Sequence, residues 1–201
     1  MRHALLLTFA AATLAACQST SSQADQPTTW SSSVSLPDVP LSVAPFDVVH
    51  VKWKERRREP YLFLDHVGDY RSAGARIAEL FAEASSQQAP MSGAPFILFY
   101  DDPSVTPVAE LKSRICIAID DEFSALSPLY VDELPAQMVV YAAIAGPFPE
   151  VPRSYAGLFE YMAERSWVPR APIRETYLVS PADHLPSELV TEVQIPWVPG
   201  G

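Results

Sequence analysis

The sequence is poor in positive charge, with 14 lysines and arginines against 24 aspartates and glutamates and a formal net charge of −10. A basic cluster occurs once, in the run Arg56–Arg57–Arg58. Nucleic-acid binding requires a positive surface that neutralises phosphates. We therefore expect no nucleic-acid partner, and we interpret the arginine run as a solvent-exposed strand end or turn.

Cysteine is also scarce, since the chain contains only Cys17 and Cys116. Cys17 is a candidate for modification, as argued below, which leaves Cys116 without a partner for an intramolecular disulfide. Cys116 lies in the apolar, β-prone run 114–119, so we predict a buried and unreactive thiol.

The motifs of common enzyme classes are missing too. The sequence contains no G-x-S-x-G, H-E-x-x-H, paired C-x-x-C or P-loop motif. His50, His66 and His184 are far apart and lack the spacing of metal ligands. We therefore predict neither a metal site nor a cofactor.

A targeting signal is present at the N-terminus. Residues 4–16 are almost wholly apolar and follow Arg2, but a bilayer-spanning helix needs about 20 residues. The length is typical of a secretory signal core, so we predict that residues 1–16 are a signal peptide. An ordinary signal peptide that happens to end near a cysteine remains the alternative to the interpretation that follows.

The end of this signal, Leu14–Ala15–Ala16–Cys17, resembles the bacterial lipobox, in which the cysteine is acylated and becomes the new N-terminus. The resemblance implies a lipoprotein anchored to the lipid bilayer through Cys17. No Asp lies directly after the cysteine, which favours the periplasmic face of the outer membrane. The next residues are rich in Ser, Thr, Gln and Pro without periodicity, so we predict a disordered tether over residues 17–45 and a folded domain over residues 46–201.

The folded domain contains an internal repeat. The β-prone runs 62–67 and 140–145 both end in a Gly-x-aromatic turn. Helical spacing of apolar residues then follows in each half, at 77–84 and at 155–162.

Each predicted helix leads to a further strand, and Tyr100 matches Tyr177 when these strands are aligned with a shift of one residue. A third β-prone run closes each half. We predict an α+β fold of two strand–helix–strand–strand units, over residues 46–129 and 130–201, related by a pseudo-twofold axis. Their strands would form an antiparallel sheet with two main helices on one face.

This order of features resembles the GyrI-like effector-binding domain, the ligand-sensing module of many AraC- and MerR-type regulators. The resemblance implies a cleft between the halves that takes flat, apolar and often cationic small molecules, whose charge meets a buried glutamate. Matched by motif, the glutamate is Glu175. The aromatic residues that line the cleft beside it are then Tyr177, Tyr100 and Trp167. The motifs that support the resemblance are Gly68–Asp69–Tyr70, the stretch 99–103, Gly146–Pro147–Phe148, Trp167 and Glu175–Thr176–Tyr177.

Three functions remain open from the sequence. The first is a membrane-tethered, extracytoplasmic domain that binds an amphipathic small molecule, because the predicted signal and tether stand where regulators carry a DNA-binding module. The second is a hydrolase of electrophilic small molecules, as some GyrI-like proteins are, with Glu175 as general base. The third is an envelope protein-interaction domain without a ligand and with an unknown protein partner, in which Glu175 pairs with Arg170 or Arg174.

Overall fold

The computed structural model of the chain describes residues 35–120 and 122–200. The predicted signal peptide, the lipidation site Cys17 and most of the predicted tether lie outside the described residues and stay predictions. Among the described residues, no helix has the length and apolar character needed to cross a membrane.

A ten-stranded sheet forms the body of the fold, in the order β1-β7-β10-β9-β4-β5-β3-β6, with β2 also paired to β7 and β8 to β10. β1 runs parallel to β7, so the sheet is mixed rather than purely antiparallel as predicted. The strands are β1 Leu41–Val43, β2 Lys52–Arg56, β3 Glu59–Val67, β4 Met91–Phe99, β5 Lys112–Ile119, β6 Tyr130–Leu134, β7 Gln137–Ala145, β8 Trp167–Pro169, β9 Ile173–Tyr177 and β10 Val190–Pro199.

Two main helices cover one face of the sheet, which confirms the predicted α+β arrangement. α1 is a single turn, Tyr70–Ala73, and the main helices are α2, Ile77–Ser86, and α3, Tyr155–Ala163. α2 packs on a cluster that includes Ile97, and α3 packs on one that includes Ile173. The pairs Ile97–Glu175 and Phe99–Ile173 place these residues on the same side of neighbouring strands. We call this side the helix face and the opposite side the inner face.

The sheet curves so strongly that its two ends approach each other. β2 and β7 lie near one end of the strand order and β3 and β6 at the other, yet β2 is joined to β3 by residues 57–58 alone and β6 to β7 by residues 135–136 alone. Such links span only about 10 Å. The inner face is therefore enclosed, and it buries a cluster formed by Tyr61, Phe63, Phe96, Leu98, Cys116 and Leu134.

Three expectations from the sequence can be compared with this fold. Cys116 is buried on the inner face, as predicted, and burial raises the pKa of its thiol well above the ordinary value. The predicted tether is wrong at its end, because Leu41–Val43 pairs with the exposed edge of β7 and Val39 packs beside it. The arginine run is exposed only at Arg57 and Arg58, since the curvature of the sheet buries Arg56.

Candidate functional site

Glu175 is a buried carboxylate at the centre of the sheet. It lies on β9 between Ile97 of β4 and Val193 of β10, and it is 4% exposed. Ile97 belongs to the apolar cluster under α2, whereas Val193 belongs to the cluster under α3. The carboxylate therefore lies at the seam between the two helix-covered clusters.

Two tyrosine hydroxyls donate hydrogen bonds to this carboxylate. Tyr155, the first residue of α3, donates to Oε1 of Glu175 at 2.5 Å. Tyr177 donates to Oε2 at 3.0 Å, and it reaches the same face because it lies two residues further along β9. No described residue forms an ion pair with Glu175; Arg174, considered as its partner from the sequence, faces the other side and pairs with Glu59.

The electrostatics of the site follow from this geometry. Burial raises the pKa of Glu175, while the hydrogen bonds from Tyr155 and Tyr177 act to lower it. Burial, and then the adjacent carboxylate, raise the pKa of both tyrosines well above the ordinary value, so the hydroxyls stay protonated and remain donors. Neutral donors satisfy hydrogen bonds but do not cancel a charge, so the site favours a cation.

Phe148 packs on one of the two tyrosines that hold the carboxylate. The ring of Phe148 lies against that of Tyr177, with centroids 4.7 Å apart. Phe148 opens the 3₁₀ segment Phe148–Ser154, which leads directly into Tyr155. A 3₁₀ segment has poorer hydrogen-bond geometry than an α-helix, so we expect this segment to move more readily than α3.

The family follows from a comparison with known proteins. The model of the GyrI-like small molecule binding domain matches residues 51–198, which is most of the chain. The chain belongs to the GyrI-like family. No curated protein sequence matches it significantly.

Solved GyrI-like and related structures share this fold at low sequence identity. The EcmrR C-terminal domain aligns with a TM-score of 0.68 and 18% identity, covering 76% of this chain and 99% of that one. A hydrolase encoded by lin2189 of Listeria innocua aligns with a TM-score of 0.53 and 13% identity, covering 74% and 91%. SAV2435 bound to tetraphenylphosphonium aligns with a TM-score of 0.50 and 16% identity, covering 74% and 93%. These likenesses show the fold alone.

The GyrI-like domain brings together only part of the residue set predicted from the sequence. Glu175 and Tyr177 are in direct contact. Tyr100 is not near them, because it packs with Phe96 and Leu98 on the inner face. The one-residue shift used to align Tyr100 with Tyr177 was wrong for this reason, since such a shift moves a strand residue to the opposite face.

Trp167 occupies a different part of the helix face. Its indole stacks on Trp197 with centroids 3.7 Å apart and an interplanar angle of 7°, and it meets the edge of Trp53 at 6.4 Å. Trp167 and Trp197 pack against the apolar cluster under α3. Trp167 therefore shares an apolar cluster with Tyr155, but its ring contacts are with Trp53, Tyr161 and Trp197.

Sequence reasoning missed the roles of Tyr155 and Phe148. Tyr155 matches the apolar stripe of the second predicted helix, and an apolar pattern does not reveal where a hydroxyl group points. Phe148 belongs to a motif that supports the family resemblance, but its contact with Tyr177 depends on the path of the 3₁₀ segment. Within residues 35–120 and 122–200, no group of three or more His, Cys, Asp or Glu is arranged to hold a metal ion.

Proposed function

We propose that this GyrI-like domain binds an apolar organic cation at the seam beneath Phe148, with Glu175 as its counter-ion. One observation supports the proposal above all others: Glu175 is buried and hydrogen-bonded by hydroxyls, with no cationic partner among the described residues. A cation that entered the seam would supply the missing charge.

The aromatic rings around Glu175 suit the same ligand class. A cation above an aromatic face gains about 0.5–2 kcal/mol. Tyr155 and Tyr177 place their rings beside the carboxylate, and Phe148 extends this aromatic group through its contact with Tyr177. Because Glu175 is covered, entry of a ligand requires the segment Phe148–Ser154 to move, and affinity is reduced by the free energy of that movement.

Calorimetric titration with tetraphenylphosphonium tests the proposal. The wild type should bind one cation per chain, and Glu175→Gln should lower the affinity at least about tenfold, which is about 1.4 kcal/mol. Glu164→Gln is the matched control, because Glu164 is an exposed carboxylate at the end of α3 that pairs with Arg165. Equal affinity of wild type and Glu175→Gln would contradict the proposal, provided that circular dichroism shows both folded.

Hydrolysis of an electrophilic small molecule is the second candidate function. The raised pKa of Glu175 supports it, because a buried carboxylate of raised pKa suits a general base. Tyr155 and Tyr177 would orient the carboxylate towards water. Turnover of a strained-ring electrophile that is lost in Glu175→Gln supports this function, whereas stoichiometric binding without turnover supports the first.

We also propose that the chain is exported and anchored through acylated Cys17, so that the domain meets its ligand outside the cytoplasm. The support is the signal-like stretch 4–16 and the lipobox resemblance at its end. Mass spectrometry of the mature N-terminus should find an acylated Cys17. Cys17→Ser should move the protein out of the membrane fraction; retention of the variant in that fraction would contradict the anchor.

We further propose that the two halves are a duplication. Gly68 donates its backbone N–H to the carbonyl oxygen of Leu111 at 2.8 Å, and Gly146 donates to that of Leu189 at 2.9 Å. Both glycines have positive φ, +126° and +129°, which favours glycine. The spacing that relates these pairs also relates Ile97 to Glu175, so the carboxylate has no counterpart in the first half.

A further inference from the structure

The inner face contains two buried arginines. Arg56 ends β2 and Arg174 lies on β9, and each is 6% exposed. Closure of the sheet brings both towards Glu59, because Glu59 follows Arg56 across the short link 57–58 and also pairs with Arg174. Arginine is rarely buried to this extent without a full set of partners.

Arg174 has such a set. Its Nη1 and Nη2 donate to the two carboxylate oxygens of Glu59, and its Nε donates to Oγ1 of Thr176 at 3.0 Å. The guanidinium also lies over the ring of Phe96, at 3.8 Å from the centroid. Its charge is therefore neutralised, and each of its three nitrogens donates a hydrogen bond within the fold.

Arg56 differs from Arg174 in this respect. Its Nη2 donates to the carbonyl oxygen of Pro135 at 3.4 Å, a long contact. Its Nε and Nη1 are buried and have no hydrogen-bond partner among the described residues. Burial, together with the positive charge of Arg174, lowers the pKa of Arg56 to about 10, so the guanidinium is still charged at neutral pH.

The charges around Arg56 do not balance. Arg174 pairs with Glu59, and Lys54 pairs with Glu192 at 2.6 Å on the same face. This leaves Arg56 with one uncompensated positive charge among these described side chains. In a chain of net charge −10, an unpaired cation in the interior is costly and calls for an anion.

We propose that the inner face holds a second ligand site, in which Arg56 binds the carboxylate of a small monoanion beside Arg174. Guanidinium donors suit a carboxylate in both charge and geometry. A single uncompensated charge favours a monoanion, because a phosphate dianion would bring a second negative charge close to Glu59. Tyr61, Phe96 and Leu134 make the neighbouring wall apolar, so the body of the ligand is apolar as well.

This site is independent of the cation site proposed above. Arg174 and Glu175 are consecutive on β9, so their side chains lie on opposite faces of the sheet. Glu59 is the partly exposed member of the group, with 29% of its side chain accessible, and it marks the side from which an anion enters.

Titration with sodium benzoate tests the site in the full-length protein. Benzoate should raise the melting temperature of the wild type and shift the Nε–H resonance of Arg56 in ¹H–¹⁵N spectra. Arg56→Met should bind benzoate at least about tenfold more weakly, a difference of about 1.4 kcal/mol. Arg58→Met, which removes an exposed arginine paired with Glu133, is the matched control and should bind like the wild type.

The wild-type resonance keeps the test decisive even if Arg56→Met does not fold. Absence of any benzoate-induced shift in the wild type would overturn the proposal, as would a shift with inorganic phosphate but none with benzoate. Glu175→Gln should still bind benzoate, so failure of the cation site and failure of the anion site give different results.

Discussion

The two faces of β9 place two buried charges, Glu175 and Arg174, back to back. On the helix face, Glu175 receives hydrogen bonds from Tyr155 and Tyr177 but meets no cation among the described residues. On the inner face, Arg174 is neutralised by Glu59, which leaves its neighbour Arg56 without an anionic partner in the part of the chain that the structure describes. Within residues 35–120 and 122–200, each face therefore has one buried charge without a counter-ion, and the two charges are of opposite sign.

The comparison teaches that hydrogen bonding and neutralisation are separate requirements of a buried charge. Among the described residues, Glu175 has hydrogen-bond partners but no counter-ion. Arg56 has no counter-ion there either, and two of its nitrogens also have no hydrogen-bond partner. Because neighbouring residues of a strand point to opposite faces, Glu175 and Arg174 cannot neutralise each other through the sheet.

The largest effect is expected on the inner face. Glu59→Gln leaves the guanidinium of Arg174 without its carboxylate, next to Arg56, and breaking a buried ion pair costs about 3–5 kcal/mol. Since Glu59 is partly exposed, we expect a loss of about 3 kcal/mol in the free energy of unfolding, measured with urea. Glu133→Gln, at an exposed pair, should lose less than about 1 kcal/mol. Similar losses in both variants would show that the inner face does not depend on Glu59.

On the helix face, the tyrosine hydroxyls should matter next. Tyr155→Phe and Tyr177→Phe each remove a donor to a buried carboxylate, which costs about 1.5–3 kcal/mol at neutral pH. The loss should be larger for Tyr155, whose hydrogen bond is the shorter. Tyr130→Phe is the control, because Tyr130 is half exposed. Urea unfolding of the three variants measures the difference, and an unchanged Tyr155→Phe would refute the assigned contact.

A smaller and pH-dependent effect is expected from removing the charge itself. Burial raises the folded-state pKa of Glu175 above its ordinary value of 4.5. The native state therefore binds more protons than the unfolded state, and stability is lost as the pH rises from the ordinary value through the raised one. Glu175→Gln should lack this loss and be at least as stable as the wild type at neutral pH. A variant with the same pH profile as the wild type would contradict the shift.

The smallest effect is expected at Cys116, whose complete burial predicts almost no reaction in the native state. Burial raises the pKa of its thiol, so little thiolate is present to react. In a Cys17→Ser background, a thiol reagent should modify Cys116 only at urea concentrations that unfold the chain. Fast modification of the native protein would mean that the inner face opens readily.

Much of the fold could be predicted from the sequence because its patterns are local. Helical spacing identified α2 and α3, and β-prone runs identified the central strands. The order of motifs identified the family, and it singled out Glu175 and Tyr177 as candidates, which are in direct contact. These predictions needed no knowledge of which strands pair.

The remaining features depend on pairing and curvature. β1 lies in a Ser- and Pro-rich stretch that joins the sheet because β7 offers it an edge. Arg56 is buried because the sheet closes, which a run of three arginines does not reveal. A shift of one residue in the strand alignment puts Tyr100 on the wrong face, and an apolar pattern does not show where the hydroxyl of Tyr155 points.

The central claim is that the charge of Glu175 selects the ligand of the helix face. Calorimetry of the wild type with tetraphenylphosphonium and with tetraphenylborate tests it most directly, because the two ions share a shape and differ in sign. The cation should bind one per chain, and the anion should bind at least about tenfold more weakly. Equal affinity for both ions would contradict the claim, since it would mean that the seam recognises apolar shape without regard to charge.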